Sequence, residues 1–102
     1  MNHDIINQGV IQMINLLNTK YTIVNGKENF ILEEVEYLFT EYFLDYDYIL
    51  GDYAYNKLRL KGFNESSKKN AKKINDIKYL DKYIKEYCAY GAKTFLLKKE
   101  NL

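Results

Sequence analysis

Residues 55–63 alternate between two kinds of side chain, and this alternation constrains the fold more tightly than any other feature of the 102-residue chain. Leu58 and Leu60 occupy one set of positions, and the other set holds Tyr55, Lys57, Arg59, Lys61 and Phe63. A period of two places successive side chains on opposite faces of a β-strand. The segment therefore predicts a half-buried strand, and residues 46–53 are predicted to be its hairpin partner.

Residues 31–43 show the other period. Their apolar side chains recur at three- and four-residue steps, whereas Glu33, Glu34, Glu36 and Glu41 fall on the opposite side. This pattern is typical of an amphipathic helix with one buried face. Asn29 is the predicted N-cap, since its side chain can accept a hydrogen bond from the first turn.

A second helix is predicted over residues 76–88, capped by Asn75 or Asp76 and ended by Gly91 in a left-handed conformation. The side chains expected to face inward are Ile77, Leu80, Ile84, Tyr87 and Cys88. This assignment predicts that the Cys88 thiol is buried and unreactive.

The remaining apolar segments predict strands. Residues 10–17 and 21–24 form a predicted hairpin that turns at Asn18-Thr19, and residues 93–98 form the last strand. The element order β-β-α-β-β-α-β predicts a single α+β domain over residues 10–102, with a mainly antiparallel sheet and two helices. Residues 1–9 are expected to be a flexible lead-in.

Charge divides the sequence into two halves. Residues 1–56 carry two lysines against nine acids, a balance of −7, and residues 57–102 carry thirteen basic side chains against five acids, a balance of +8. Either one half offers a surface to phosphates or to an acidic partner, or the halves neutralise each other in the fold. Arg59 is the only arginine beside fourteen lysines, which indicates a site that needs its planar fork of donors.

Two segments resemble one known family. The stretches YDYILGDYAYNKLRLKGF at residues 46–63 and EYCAYGAKTFLLK at residues 86–98 are similar to the YutD-like family of small Firmicutes-type bacterial proteins, and the resemblance covers about residues 12–99. The resemblance implies a compact cytoplasmic α+β domain. It implies no particular biochemical activity, because none is established for the family. The chain departs from the family at Tyr53, where Trp is usual, at Ala54, where Gly is usual, and at Ala92, often Cys. The missing second Cys argues against a redox or metal role.

Catalysis is not expected. Asp47 and Asp52 would point to opposite faces of one strand unless Gly51 forms a bulge, so they do not form a carboxylate pair. Cys88 has no histidine beside it, because the only His lies in the lead-in. We therefore expect no enzyme, no cofactor and no metal. An enzyme centred on Asp47, Asp52 and Arg59 is the least favoured alternative.

Binding is the favoured activity. The row Tyr55, Lys57, Arg59, Lys61 and Phe63, called the aromatic-basic row below, combines cations with rings as single-stranded nucleic acid sites do. The plain structural alternative is a half-exposed sheet face in which Arg59 pairs with Asp47 or Asp52.

The hairpin register decides what joins this row, and the sequence allows two registers. A two-residue loop at Ala54-Tyr55 places Asp52 opposite Lys57 and Tyr48 opposite Lys61. A three-residue loop instead places Tyr53 opposite Lys57 and turns Tyr48 into the core. Both registers remain open at this stage.

The sequence therefore predicts a cytoplasmic binding module for RNA or a ribonucleoprotein, with Tyr48 and Asp52 added to the aromatic-basic row. The alternative is a protein-interaction or regulatory domain that uses the acidic helix and the tyrosine-rich sheet. No membrane partner is expected, because no apolar run approaches the ~18 residues that a membrane span requires. The oligomeric state is left open.

Overall fold

The computed structural model describes residues 12–69 and 72–100. Within these ranges the chain forms one five-stranded sheet with a helix against each face. The strands are β1 (Gln12–Leu16), β2 (Thr19–Asn25), β3 (Tyr48–Ala54), β4 (Lys57–Phe63) and β5 (Thr94–Lys99), and the helices are α1 (Leu32–Leu38) and α2 (Leu80–Tyr87). The predicted α+β class is confirmed. The expectation for residues 1–9 lies outside the described residues.

The strands are not arranged in the sheet as they follow one another in the chain. The order is β1-β2-β5-β3-β4, with every neighbouring pair antiparallel. The last strand therefore lies in the middle, where Phe95 and Leu97 are buried. β1 and β4 form the two edges of this sheet.

Two-residue turns close both hairpins. Leu17-Asn18 joins β1 to β2 and Tyr55-Asn56 joins β3 to β4, and all four residues have positive φ. Such turns match the twist of the strands, and Asn tolerates the left-handed conformation better than most residues. The predicted turn at Asn18-Thr19 is therefore wrong by one residue.

Neither predicted register of the β3–β4 hairpin occurs. Asp52 lies opposite Arg59 and Tyr48 opposite Phe63. Placing Asn56 in the second turn position moves the loop one residue along the chain. Each residue of β3 therefore pairs two residues further along β4 than the two-residue alternative predicted. Because a change of two residues does not alter which face a side chain is on, Asp52 and Tyr48 still share a face with the aromatic-basic row, as that alternative predicted.

The main core lies between α1 and one face of the sheet, called the α1 face below. Val35 and Phe39 belong to the same buried cluster as Tyr21 and Ile49 of the strands. Gly51 forms no bulge, since β3 pairs regularly on both sides. A Cβ at this position would lie 2.1 Å from Cζ of Phe95, so glycine is needed here to admit that ring.

Helix α1 is shorter than the predicted helix of residues 31–43. It ends at Leu38, and a separate 3₁₀ segment, Glu41–Asp45, follows. The helical path is interrupted at Phe39 and Thr40, whose backbones are both extended, with ψ of 123° and 174°. Asn29 is not the N-cap, because its side-chain amide donates to the carbonyl oxygen of Thr94 at 3.0 Å and so ties the helix entry to β5.

The second helical segment begins as predicted. The carboxylate of Asp76 accepts from the Lys78 amide at 3.0 Å and caps the 3₁₀ turn Ile77–Tyr79, which leads into α2. The helix ends at Tyr87 rather than at Gly91. Gly91 has the expected left-handed φ of 70°, but it lies in the turn between α2 and β5.

Candidate functional site

The aromatic-basic row lies on the sheet face opposite the main core, called the α2 face below, and α2 covers the Phe63 end of the row. Phe63 is 0% exposed, and its ring packs edge-on against Tyr83 of α2 with 5.4 Å between ring centroids. A ring with no accessible surface has no face on which a base can stack. The predicted stacking role of Phe63 is therefore wrong.

Lys61 lies beside these two rings. Its Nζ is 5.1 Å from the Phe63 ring centroid and 5.3 Å from that of Tyr83, within the range of cation–π attraction. The side chain is half-buried, and this burial lowers the pKa of its ammonium group. Lys61 thus contributes to packing under α2 as well as carrying charge.

Arg59 and Asp52 form an ion pair across β3 and β4. The Arg59 Nη2 lies 2.7 Å from Asp52 Oδ2, and Nε donates to the same oxygen at 3.3 Å. The bond to Asp52 raises the pKa of the guanidinium. Nη2 also donates to the carbonyl oxygen of Tyr87 at 3.2 Å, so this one side chain links the sheet to the end of α2.

Tyr48 is engaged at the opposite end of the hairpin. Its hydroxyl donates to Glu65 Oε2 at 2.6 Å, and the ammonium of Lys98 lies 5.9 Å from the ring centroid. Burial, followed by the contact with Glu65, raises the pKa of this hydroxyl to about 12. Tyr48 therefore anchors the loop after β4 in this structure.

Three members of the row are exposed, and Arg59 is one of them, with a side chain that is 47% exposed. Tyr55 is 98% exposed at the tip of the β3–β4 turn, and Lys57 follows at the start of β4 with its side chain in solvent. Tyr55 and Lys57 form no ion pair among the described residues, whereas the exposed Arg59 is bound to Asp52.

Asp47, Asp52 and Arg59 do not form one cluster of hydrogen bonds. Asp47 accepts from the Glu65 amide at 2.9 Å and lies 3.7 Å from the Lys68 ammonium, whereas Asp52 binds Arg59. The two carboxylates have separate cationic partners. The pairing of Arg59 with Asp52 is one of the two that the plain structural alternative named, the other being Asp47.

Cys88 is half-buried where α2 ends. Burial is the main cause that raises the pKa of its thiol, and the nearby charge of Asp52 acts in the same direction. Both causes disfavour the thiolate, which is the reactive form.

Sequence reasoning missed Tyr83, the residue that covers Phe63. Its ring also stacks on Tyr87 at 5.1 Å, and Tyr87, predicted to be inward, is mostly exposed. A signal was present, because Tyr83 lies three residues after Leu80 and four before Tyr87, on the same helical stripe.

Six carboxylates project from α1 and from the 3₁₀ segments on either side of it, and all six residues are exposed. They are Glu28, Glu33, Glu34, Glu36, Glu41 and Asp45, and together they are called the acidic surface below. Lys27 is the only basic side chain within residues 27–45, which leaves a balance of −5. None of the six forms an ion pair with another described residue. The basic half of the sequence therefore does not neutralise the acidic surface, although it supplies the cationic partners of Asp47 and Asp52.

Apolar side chains are exposed among these charges. Tyr37 is 88% exposed, and Ile31 and Leu32 also reach solvent. A groove of about 490 Å³ lies between α1 and the start of β4, lined in part by Tyr37, Leu38 and Leu58. The acidic surface thus combines uncompensated charge with an apolar recess.

Two classes of site receive no support from the described residues. Residues 12–69 and 72–100 contain no cluster of three or more His, Cys, Asp or Glu side chains suited to a metal ion. No helix in these ranges has the length and apolar character needed to cross a bilayer.

Comparisons of the sequence and of the structure with known proteins all find members of one family. The family described as "Putative antitoxin YutD-like" matches residues 15–98. The protein "Putative antitoxin YutD" of Bacillus subtilis (strain 168) is 39% identical over 88 residues, which span 85% of this chain and 97% of the relative. The solution NMR structure of the B. subtilis protein yutD superimposes with a TM-score of 0.72 at 36% identity, covering 88% of this chain and 83% of that one.

Proposed function

This chain belongs to the YutD-like family, and on that premise we propose that it is a non-enzymatic cytoplasmic protein that binds and blocks a basic partner protein through its acidic surface. The relatives' description as antitoxins fits such a role, since an antitoxin acts by neutralising another molecule. The acidic helix was the alternative interaction site in the sequence, and the exposure of its carboxylates and of Tyr37 supports that alternative.

One observation carries the proposal: six exposed carboxylates form no ion pair with a described residue, and two of them, Glu33 and Glu34, line one recess with the exposed Tyr37. Uncompensated charge of one sign attracts a surface of the opposite sign and speeds association. Tyrosine is also enriched among the residues that dominate binding energy at protein interfaces. Glu33 and Tyr37 line the same recess, so one partner can engage both charge and ring.

RNA or ribonucleoprotein binding is the second candidate. The observation that favours it is the adjacent exposure of Tyr55 and Lys57 at the β3–β4 turn. With Phe63 buried and Arg59 bound to Asp52, the row offers a shorter site than the sequence suggested. The acidic surface would repel a phosphate backbone, so RNA would have to approach from the turn.

A pair of charge reversals tests the proposal. Glu33→Lys changes the first turn of α1, and the control Asp81→Lys makes the same change in the first turn of α2, against the other face of the sheet. The full-length tagged chain is used to capture proteins from a native bacterial lysate, with and without nuclease. The dissociation constant of the purified partner is then measured by calorimetry.

We expect a basic protein to be captured by the wild type and by Asp81→Lys, with nuclease having no effect. Binding by Glu33→Lys should be about tenfold weaker or worse, since a close interfacial charge pair contributes about 1.5 kcal/mol or more. Co-expression of the wild-type chain should also relieve any growth arrest that the partner causes. Equal binding by both variants would refute the acidic surface as the site, and capture abolished by nuclease would favour the RNA candidate.

A further inference from the structure

A groove of about 250 Å³ runs along β4, the strand at one edge of the sheet. Polar and charged groups line it from three directions. Arg59 and Lys61 come from β4 itself, Tyr42 and Tyr46 from the segment after α1, and Tyr83 from α2. The groove gives access from the sheet edge to Lys61, which packs against Tyr83 of α2, and to Arg59, which is partly exposed.

Lys61 has no anionic partner among the described residues. Its ammonium contacts the Phe63 and Tyr83 rings, and it belongs to none of the three ion pairs. Burial lowers its pKa, which means that the charged form is deprived of part of its hydration. An anion placed in the groove would restore the missing stabilisation.

Arg59 lies two residues away on the same face of β4, and its donors are only partly used. Nε and Nη2 bind Asp52 and the Tyr87 carbonyl, whereas Nη1 has no bond to any described residue. A guanidinium carries five N–H donors, so the remaining ones are available to an oxyanion. Asp52 neutralises one of the two cations, which leaves the groove with an excess positive charge.

A hydroxyl pair completes the donor set. The Tyr42 and Tyr46 hydroxyl oxygens lie 3.0 Å apart, and one hydroxyl donates to the other. The accepting hydroxyl keeps its own hydrogen for another acceptor. The residues that line this groove therefore carry three kinds of donor: an ammonium, a guanidinium and a phenolic hydroxyl.

We propose that this groove binds a phosphate group, with Lys61 and Arg59 as its cationic contacts and the Tyr42–Tyr46 pair as a hydroxyl donor. A phosphate carries more than one negative charge and several strong acceptor oxygens, which suits donors arriving from separate side chains. The group can belong to a free phosphate, a nucleotide or an RNA strand, which share this chemistry. The inference is independent of the proposed protein partner.

The test is a titration of the full-length chain with inorganic phosphate, followed by ¹H–¹⁵N NMR at constant ionic strength. Lys61→Gln removes the buried ammonium. Lys57→Gln is the matched control, because Lys57 lies on the same strand and face but outside the groove. Tyr42→Phe removes one hydroxyl from a mostly exposed residue, so it probes the site even where Lys61→Gln disturbs packing under α2.

For the wild type we expect saturable shifts in β4 and in the segment around Tyr42. Lys61→Gln should weaken binding about tenfold, as the loss of one charge-assisted hydrogen bond implies, and Tyr42→Phe should weaken it severalfold. Lys57→Gln should leave binding unchanged. Linear shifts without saturation, or equal losses at Lys57 and Lys61, would mean diffuse attraction to lysines and overturn the site.

The same titration is repeated with adenosine 5′-monophosphate and with a single-stranded oligoribonucleotide, so that the three sources of a phosphate group can be compared. Tighter binding of the nucleotide than of phosphate, lost in Lys61→Gln, identifies a nucleotide as the source of the phosphate. Tighter binding of the RNA, with the same dependence on Lys61, assigns the groove to a nucleic acid backbone. Equal binding of all three leaves the free ion as the ligand.

Discussion

Arg59 and Asp52 face each other across β3 and β4, and Arg59 Nη2 lies 2.7 Å from an Asp52 carboxylate oxygen that is almost fully buried. Through the same nitrogen, Arg59 reaches the carbonyl of Tyr87. The pair therefore fastens the end of α2 to the sheet. It explains why the only arginine of the chain stands at this position.

The first prediction concerns this pair. Arg59→Lys should lower the free energy of unfolding by about 1–3 kcal/mol, since lysine cannot reproduce the two bonds to Asp52 together with the bond to Tyr87. The measurement is urea denaturation, with Lys57→Arg as a control that should stay within about 0.5 kcal/mol of the wild type. Unchanged stability of Arg59→Lys would show that the arginine is not structural.

The second prediction separates packing from binding within the aromatic-basic row. Phe63→Ala should lower the free energy of unfolding by about 3–5 kcal/mol, because it leaves a cavity beneath Tyr83. Tyr55→Ala, at the exposed end of the row, should change stability by no more than about 0.5 kcal/mol. Thermal denaturation of the wild type and of both variants measures these changes in stability. A Phe63→Ala variant as stable as the wild type would contradict the burial of this ring.

A third prediction addresses the free thiol. Burial and the neighbouring Asp52 both raise the pKa of Cys88, so less thiolate is present at neutral pH than in the unfolded chain. Alkylation at pH 7 should be markedly slower in the native protein than in urea, and its rate should rise as pH approaches the raised pKa. Comparable rates in the two states would argue for an accessible thiol.

The fourth prediction is a pH dependence at Asp76. Its carboxylate accepts hydrogen bonds from the Ser66 hydroxyl and the Lys78 amide, and these bonds lower its pKa below the usual 3.8. Because the folded pKa lies below the unfolded one, the stabilisation is complete above about pH 4 and is lost as pH falls through the folded value. Asp76→Asn should therefore be less stable than the wild type at pH 6.

That difference should shrink at pH 3, as measured by urea midpoints at the two pH values. Asp81→Asn is the matched control, since the Asp81 side chain is exposed and belongs to no ion pair among the described residues. It should follow the wild type at both values. A constant difference between Asp76→Asn and the wild type would disprove the linkage.

The fifth prediction concerns Tyr21 in the main core. Its hydroxyl is fully buried and forms no hydrogen bond within the described residues, and burial raises its pKa to about 12. A buried polar group without a partner costs about 1–3 kcal/mol. Tyr21→Phe should therefore leave the melting temperature unchanged or raise it. A large decrease would reveal a partner for this hydroxyl.

Local patterns in the sequence were sufficient for the elements themselves. The alternation at residues 55–63 specified a strand and the three-to-four spacing at residues 31–43 specified a helix, because each pattern reports which side of one element meets the core. Asp76 was one of the two predicted caps for the same reason, since its partner lies two residues away. Charge counting also located the acidic segment, whose carboxylates are exposed in the fold.

Long-range contacts decided the rest. The alternation showed that Phe63 and Lys61 share a face, but only the position of α2 determines that this face is covered, because Tyr83 reaches it across twenty residues of chain. The hairpin register depended on which two residues form the turn, and these are Tyr55 and Asn56, both with positive φ. Moving the turn by one residue changes the cross-strand partner of every residue in β3 and β4. The sequence thus determined which residues carry charge and rings. Burial, which arises from packing between distant segments, determined which of them a partner can touch.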